Sequence, residues 1–305
     1  MKKLFLALSL LFWTSACSAP SIFSLTPTST PYVYPTAETP TVPALTVESL
    51  GNAEYTLPGF GSAIHSYQFV DGKYNAGGDP SGSEYASLSL LDFYAFGDLN
   101  EDGVDDAAVL IAENYGGSGV FVSVNAVLNE NGQPRHAASY LVDDRPQIKA
   151  LEIRDGRILL DAVIHGTDDA MCCPTFPVTQ TFQLIGNSLT LVCFTSQTPG
   201  GQERAITIES PSEGADAGGA LVISGQVTIA PFENTLTYRV FNEQGNELTA
   251  GPITVDAPDF GAPGTFTVTL DTSTFPIGRI RIVIADLSAA DGSVLALDSV
   301  MIFVR

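Results

Sequence analysis

The sequence predicts a mainly β chain: an antiparallel β-meander domain with room for one helix, followed by a β-sandwich. Three observations carry that reading. Only 15% of the 305 residues are charged while 45% are hydrophobic, which suits sheets rich in Val, Ile, Thr and Phe better than charged surface helices. Apolar and polar residues alternate along most of the chain in short runs punctuated by Asp-Gly and Gly-Asn turns. A Gly-rich break at SQTPGGQERA separates two such regions, each large enough for its own core.

The charge balance narrows the partners. Lys and Arg number 13 against 34 Asp and Glu, a formal net charge of -21. A field of that sign repels a phosphate backbone, so nucleic acid is excluded as a partner.

The first eighteen residues, MKKLFLALSLLFWTSACS, form a targeting signal. Lys2 and Lys3 make a basic start, and Leu4 to Trp13 an apolar run too short for a hydrocarbon core that needs about 20 residues. Small residues Ser15 and Ala16 lead into Cys17, a pattern that resembles the lipobox of bacterial lipoproteins, with Thr14 where that motif usually has Leu. The resemblance implies cleavage after residue 16 and lipidation of Cys17. The protein is then extracytoplasmic, anchored through lipid to the cell membrane or an outer membrane. Several acyl chains on one cysteine hold stably where one does not, at about 0.8 kcal/mol per buried CH₂. Residues 18 to 46 are dense in Pro, Thr and Ser, which favours an extended linker.

From 47 to 196 the alternation is clearest in VFVSVNAVL, HAASYLV, IKALEI and ILLDAVI, with turns NENGQ and RDGR between them, then in VTQTFQLI and LTLVCF around GNS. Runs joined by such turns make an antiparallel meander. SEYASLSLLDFYAF, residues 83 to 96, has apolar spacing compatible with a helix of a few turns.

One turn is chemically distinct. In GDLNEDGVDD, Asp98, Asn100, Asp102 and Asp106 stand at positions 1, 3, 5 and 9, with Gly103 at position 6 and the Val104 carbonyl at position 7. That is the spacing of a calcium loop up to its ninth position. Carboxylates folded so close must protonate or share a hard cation. Position 12 is Val109 and a strand follows, so the stretch is not an EF-hand. It is similar to the DxNxDGxxD loops of integrin-type FG-GAP repeats, which implies a structural calcium ion bound between two strands. One copy does not make a propeller, and DLSAADGS at 286 to 293 is out of register and reads as a hairpin turn.

A wider resemblance covers this domain. GDLNEDGVDDAAVL, NYGGSGVF and IHGTDDAMCCPTFPVTQTFQL, in that order, are similar to the LppP/LprE-like bacterial lipoproteins, which implies an envelope location. With Cys17 lipidated, Cys172, Cys173 and Cys193 remain, enough for one disulfide and one thiol outside the cytoplasm. Adjacent Cα atoms about 3.8 Å apart fall short of the usual 4.4 to 6.8 Å, so a Cys172–Cys173 bridge would be strained, and Cys193 could pair with either neighbour. The paired cysteines of the family keep the vicinal bridge open as well. His165, Asp168 and Asp169 nearby do not complete a zinc centre or a thiol site, since adjacent residues of an extended strand point apart. His65 and His136 read as surface or hairpin residues.

Residues 197 to 204 form a short linker, and 205 to 305 carry about seven alternating strands in some 100 residues, the density of a β-sandwich. ESP, ISGQV, FENTLTYRVFNEQGNEL, GTFTVTL and ADLSAADGS closely resemble the immunoglobulin-like domain of bacterial lipoproteins and spore germination proteins. That implies a binding or spacer module with no catalytic residues. Phe232, Tyr238 and Phe266 read as its core. The expectation for the whole is a lipid-anchored envelope protein that binds or spaces an envelope protein or polysaccharide and is not an enzyme. The rival expectation is a metal-dependent hydrolase built on the acidic loop, whose metal would need an open position beside a base.

Overall fold

The computed structural model describes residues 42–58 and 64–305. The signal peptide, Cys17 and most of the Pro/Thr-rich segment lie outside the described residues. Those described belong to one compact unit, Val42–Arg305. It begins earlier than the alternating pattern, because Leu45 is buried in a core with Leu50 and Tyr55.

The chain enters through a one-turn helix, α1 (Val47–Gly51), closed by a capping box in which Thr46 Oγ1 accepts from the Ser49 amide and Ser49 Oγ from that of Thr46. A small hairpin follows, β1 (Glu54–Leu57) against β2 (His65–Gln68). Then comes a five-stranded antiparallel meander in chain order: β3 (Lys73–Ala76), β4 (Ala86–Gly97), β5 (Asp106–Asn114), β6 (Phe121–Glu130) and β7 (Gln133–Asp144). The β6–β7 turn at Asn131-Gly132 has both central residues at positive φ, the geometry that joins twisted strands in two residues.

The unbroken apolar run of β5 is explained by its neighbours. Ala108 and Leu110 point into one core while Ala107, Val109 and Ile111 point into the core beneath α1 and the β1–β2 hairpin. With both faces covered, alternation disappears from the sequence.

The helix expected over 83 to 96 is a strand. β4 pairs with β3 and β5, and its register shifts between Leu90 and Tyr94. Leu91, Phe93 and Ala95 face one core and Leu88 and Leu90 the other, as strand alternation dictates. With apolar residues on both faces, Leu88, Leu91 and Ala95 show helical spacing without helical backbone.

A second antiparallel layer packs on the meander: β8 (Gln147–Arg154), β9 (Arg157–Ile164), β10 (Phe176–Ile185) and β11 (Ser188–Gln197). Residues 198–202 turn back so that β12 (Glu203–Arg204) pairs with β11. The segment read as a linker is thus partly sheet.

The C-terminal sandwich holds β13 (Ile206–Ser210), β14 (Ala215–Ala217), β15 (Ala220–Val227), β16 (Thr235–Asn242), β17 (Glu247–Asp256), β18 (Gly264–Asp271), β19 (Gly278–Leu287) and β20 (Val294–Val304). β13, β15 and β18 form one layer, and β16, β19 and β20 the other with β14 added in parallel. β17 pairs with β16 and, through Val255 and Asp256, with β18. Phe266 is 2% exposed and Tyr238 packs at the edge of the core. Phe232 is 60% exposed, against expectation. It sits in a short turn whose next two residues have positive φ, and Leu236 and Val240 fill the core instead.

The two sandwiches share a sheet. β11 pairs with β20, Cys193 opposite Asp298 and Phe194 opposite Leu297. Ser299 Oγ donates to the Val192 carbonyl at 2.8 Å and Ser196 Oγ to that of Leu295 at 2.5 Å. Val283, Ala285 and Leu297 of the C-terminal strands are buried in the first domain's core.

Candidate functional site

Two regions concentrate polar chemistry. The acidic loop spans the end of β4 to the start of β5. Asp98 organises it: Oδ1 accepts from the Asn100 and Asp102 amides, each at 3.2 Å, and Oδ2 from Gly103 at 2.8 Å. Asp102 Oδ1 accepts from the Val104 amide at 2.8 Å and Oδ2 from the Asn100 side chain at 2.9 Å. Glu101 and Gly103 take positive φ to close the turn. Burial acts to raise the Asp98 carboxyl pKa, and the backbone donors of Gly103, Glu101, Asp102 and Asn100 outweigh it, leaving the value below the usual carboxylate range.

Asp106 is different. It is fully buried, with Oδ1 accepting from Asn129 at 2.8 Å and Oδ2 from Leu99 at 3.0 Å. Burial pushes its pKa up, the two backbone donors oppose that, and the charges of Asp102 and Asp98 add to the rise. A cation in the loop would relieve this cost.

The donor set is of the right type for calcium. Each carboxylate or amide oxygen has about two lone-pair sites, so Asp98 Oδ2, Asn100 Oδ1 and both oxygens of Asp102 and Asp106 keep acceptor capacity. The loop nonetheless closes on its own hydrogen bonds, and no group of three or more acidic, His or Cys side chains converges in ligating geometry among the described residues.

The second region lies where the open end of the first sandwich meets the β19–β20 hairpin. Tyr140 of β7, His165 after β9, Gln180 of β10, Phe194 of β11 and Asp291 of the hairpin line a cavity of ≈ 440 Å³. His165 Nδ1 lies 2.8 Å from Asp143 Oδ2, which also accepts the His165 amide at 2.6 Å. A carboxylate only accepts, so Nδ1 carries the proton and Nε2 faces away from Asp143 with its lone pair or a second proton. The bond to Asp143 raises the imidazole pKa above its ordinary value, against the effect of desolvation.

The following loop is tied by Asp169, which accepts from the Gly166 and Thr175 amides at 2.8 and 2.6 Å and from Thr175 Oγ1 at 2.7 Å. Cys172 and Cys173 are joined in a vicinal disulfide, with Cα atoms 3.8 Å apart, and Cys193 is free. Neither sulfur of the bridge can then act as a nucleophile beside the His165–Asp143 pair.

His165 and Asp169 share one segment of the sequence, whereas Asp143 and Gln180 reach the region from other strands and Asp291 from the β19–β20 turn. His136 is the half-buried fourth residue of β7, in the β6–β7 hairpin. Its Nδ1 accepts from the Thr56 amide at 3.2 Å and its Nε2 lies 3.1 Å from Asn125 Oδ1. A signal existed for Gln180: it is polar where the alternation Val178, Phe182 calls for an inward apolar residue.

Residues 205–293 match the family model Gmad2, the immunoglobulin-like domain of bacterial spore germination. The C-terminal sandwich is therefore immunoglobulin-like. No curated protein matches the chain. Among solved structures, the extracellular domain of BT4673 from B. thetaiotaomicron is similar at 9% identity with a TM-score of 0.21, over 78% of this chain and 45% of that one. The chain thus spans less than half the length of that protein. Among the described residues no helix is long and apolar enough to cross a membrane.

Proposed function

We propose that this protein is a non-catalytic, lipid-anchored lipoprotein of the bacterial envelope that binds a partner outside the cytoplasm. Cys17 carries the lipid, the Pro/Thr-rich segment spaces the folded part from the membrane, and the fused sandwiches present the binding surface. The observation that carries the reading is the edge-to-edge joining of an immunoglobulin-like domain to a second sandwich through β11 and β20. The seam carries a groove, the kind of place where binding sites form.

The resemblance of the first domain to LppP/LprE-like lipoproteins and the leader ending at Cys17 support the location. The acidic loop is assigned to a structural calcium ion, held by Asp98, Asn100, Asp102, the Val104 carbonyl and Asp106. Its supports are the ligand spacing and the buried charge of Asp106. Calcium there would fasten the β4–β5 turn, and no reaction step is routed through it.

The test is mass spectrometry of Cys17 in the membrane fraction of cells expressing the chain and its Cys17→Ser variant. The reading expects an acylated N-terminal cysteine in the membrane fraction and release of the variant from it. An unacylated Cys17 in a soluble fraction would overturn the anchor.

A further inference from the structure

Cys172 and Cys173 form a bridge that fastens no two parts of the fold together. A disulfide stabilises by closing a loop between separate segments, more so the longer the loop, and this one joins residues already adjacent in the chain. Pairing either cysteine with Cys193 would have tied their loop to β11, yet Cys193 is free. The bridge therefore calls for a reason other than stability.

The loop around it is held by other means. Asp169 clamps both of its ends, accepting from the Gly166 amide on one side and from the Thr175 amide and hydroxyl on the other. The Cys173 amide donates to the Ala170 carbonyl at 2.8 Å, and Pro174 is buried. On this base Met171, Cys172 and Cys173 are all exposed. The bridge is thus displayed to solvent on a scaffold whose hydrogen bonds do not pass through it. Exposed disulfides of this kind are the ones that exchange with thiols, whereas structural ones resist reduction.

The charge around the loop selects the thiol. Asp168 and Asp169 stand just before the bridge, and the chain carries a net charge of -21. His165, the one basic side chain among residues 165–175, is already paired with Asp143. A thiol bearing a further negative charge approaches against that field, and a neutral one does not.

We infer that the Cys172–Cys173 bridge is a thiol-exchange site, opened reversibly by a neutral thiol reductant, which rests on the extracytoplasmic location proposed above. A thiolate of the reductant attacks one cysteine sulfur. The bond between the two cysteine sulfurs breaks, and its electron pair leaves on the other sulfur, which takes up a proton. A second thiolate then attacks the reductant's sulfur in the mixed disulfide and releases the first cysteine, which is protonated in turn. Two electrons and two protons reach the pair, and the reductant leaves as its own disulfide.

Redox titration of the full chain, purified with the bridge intact, tests the inference. Native protein is equilibrated with mixtures of reduced and oxidised dithiothreitol and alkylated, and the peptide holding Cys172 and Cys173 is read by mass spectrometry. That peptide should pass from bridged to doubly alkylated, and back as the mixture is reversed, with Cys193 unlabelled throughout. Reduction should move the unfolding temperature by less than about 2 °C, the range of an ordinary surface change. At low salt, mercaptoethanol should open the bridge about threefold or more faster than mercaptoethanesulfonate, which shares its skeleton and adds a negative charge, and the gap should narrow as salt is added. A bridge that opens only under denaturant overturns the inference, and a larger fall in unfolding temperature on reduction makes it a structural staple instead. Equal rates with the two thiols would overturn the assignment to a neutral reductant. Acylation of Cys17 is read separately, so failure here leaves the membrane-anchored reading standing.

Discussion

Phe194 of β11 lies directly opposite Leu297 of β20, and both are buried in the core of the first domain. This pair joins two regions that the sequence separates with a Gly-rich break. Around it, Arg281 Nη1 reaches the Leu191 carbonyl at 3.2 Å, and Arg204 pairs with the buried Asp286 at 3.6 Å. The domains are therefore expected to unfold together.

Gly225 in β15 is required by a close approach. A Cβ there would meet the Thr207 carbonyl oxygen at 2.1 Å and the Phe266 ring at 2.6 Å. Gly225→Ala should cost about 3 kcal/mol or more in urea unfolding, since backbone rather than a flexible side chain blocks the methyl. A change under about 0.5 kcal/mol, the range of an ordinary surface substitution, would refute the packing described.

His136 should make the protein acid-sensitive. Burial lowers its pKa to about 4, from an ordinary value near 6.5. Between those values the unfolded chain binds the proton and the folded one does not, so stability is full above about 6.5 and falls as pH drops toward 4. The loss is up to about 3 kcal/mol by linkage. Proton uptake at Nδ1 also ends its acceptance of the Thr56 amide, so β1 should gain hydrogen exchange first. The check is chemical unfolding across pH 4 to 7, with His136→Gln expected to flatten the profile.

Cys193 should resist alkylation. Burial, with Asp298 adding to it, pushes its thiol up to about 11, so about a thousandth is thiolate at pH 8. Cys172 and Cys173 are exposed and should label promptly once reduced. Mass spectrometry after iodoacetamide, with and without prior reduction, should find Cys193 modified only on unfolding. Fast labelling of native Cys193 would contradict its place at the seam.

Calcium should stabilise the chain and EGTA reverse the effect. At a hundredfold excess over Kd the gain is about 2.7 kcal/mol. Asp102→Ala should abolish it. No shift with calcium in the parent would leave the loop as an acidic turn closed by its own hydrogen bonds.

Much of this was legible in the sequence, and the exceptions have physical causes. The β6 to β11 strands announced themselves because one face is polar and their turns, such as Asp155-Gly156, are restricted to residues that tolerate positive φ. β4 hid because apolar residues on both of its faces imitate helical spacing. The groove was invisible because it is lined by Tyr140, Gln180 and Asp291, far apart in the chain and brought together only by the packing of separate elements. His136 lies in a hairpin, as the sequence suggests, but nothing local shows that Thr56, eighty residues earlier, donates to it. The turn from Asp98 to Val104, by contrast, is local, and its geometry follows directly from Asp98, Asn100, Asp102 and Gly103, whereas Asp106 is held from β6 by the Asn129 amide.

The central claim is that the shared β11–β20 sheet makes two sandwiches one cooperative body. Differential scanning calorimetry of residues 42–305 tests it most directly. The account predicts one transition whose calorimetric and van't Hoff enthalpies agree, lowered as a single peak by Phe194→Ala, which should cost about 3 to 5 kcal/mol. Two separable transitions, with Phe194→Ala moving only one of them, would contradict it.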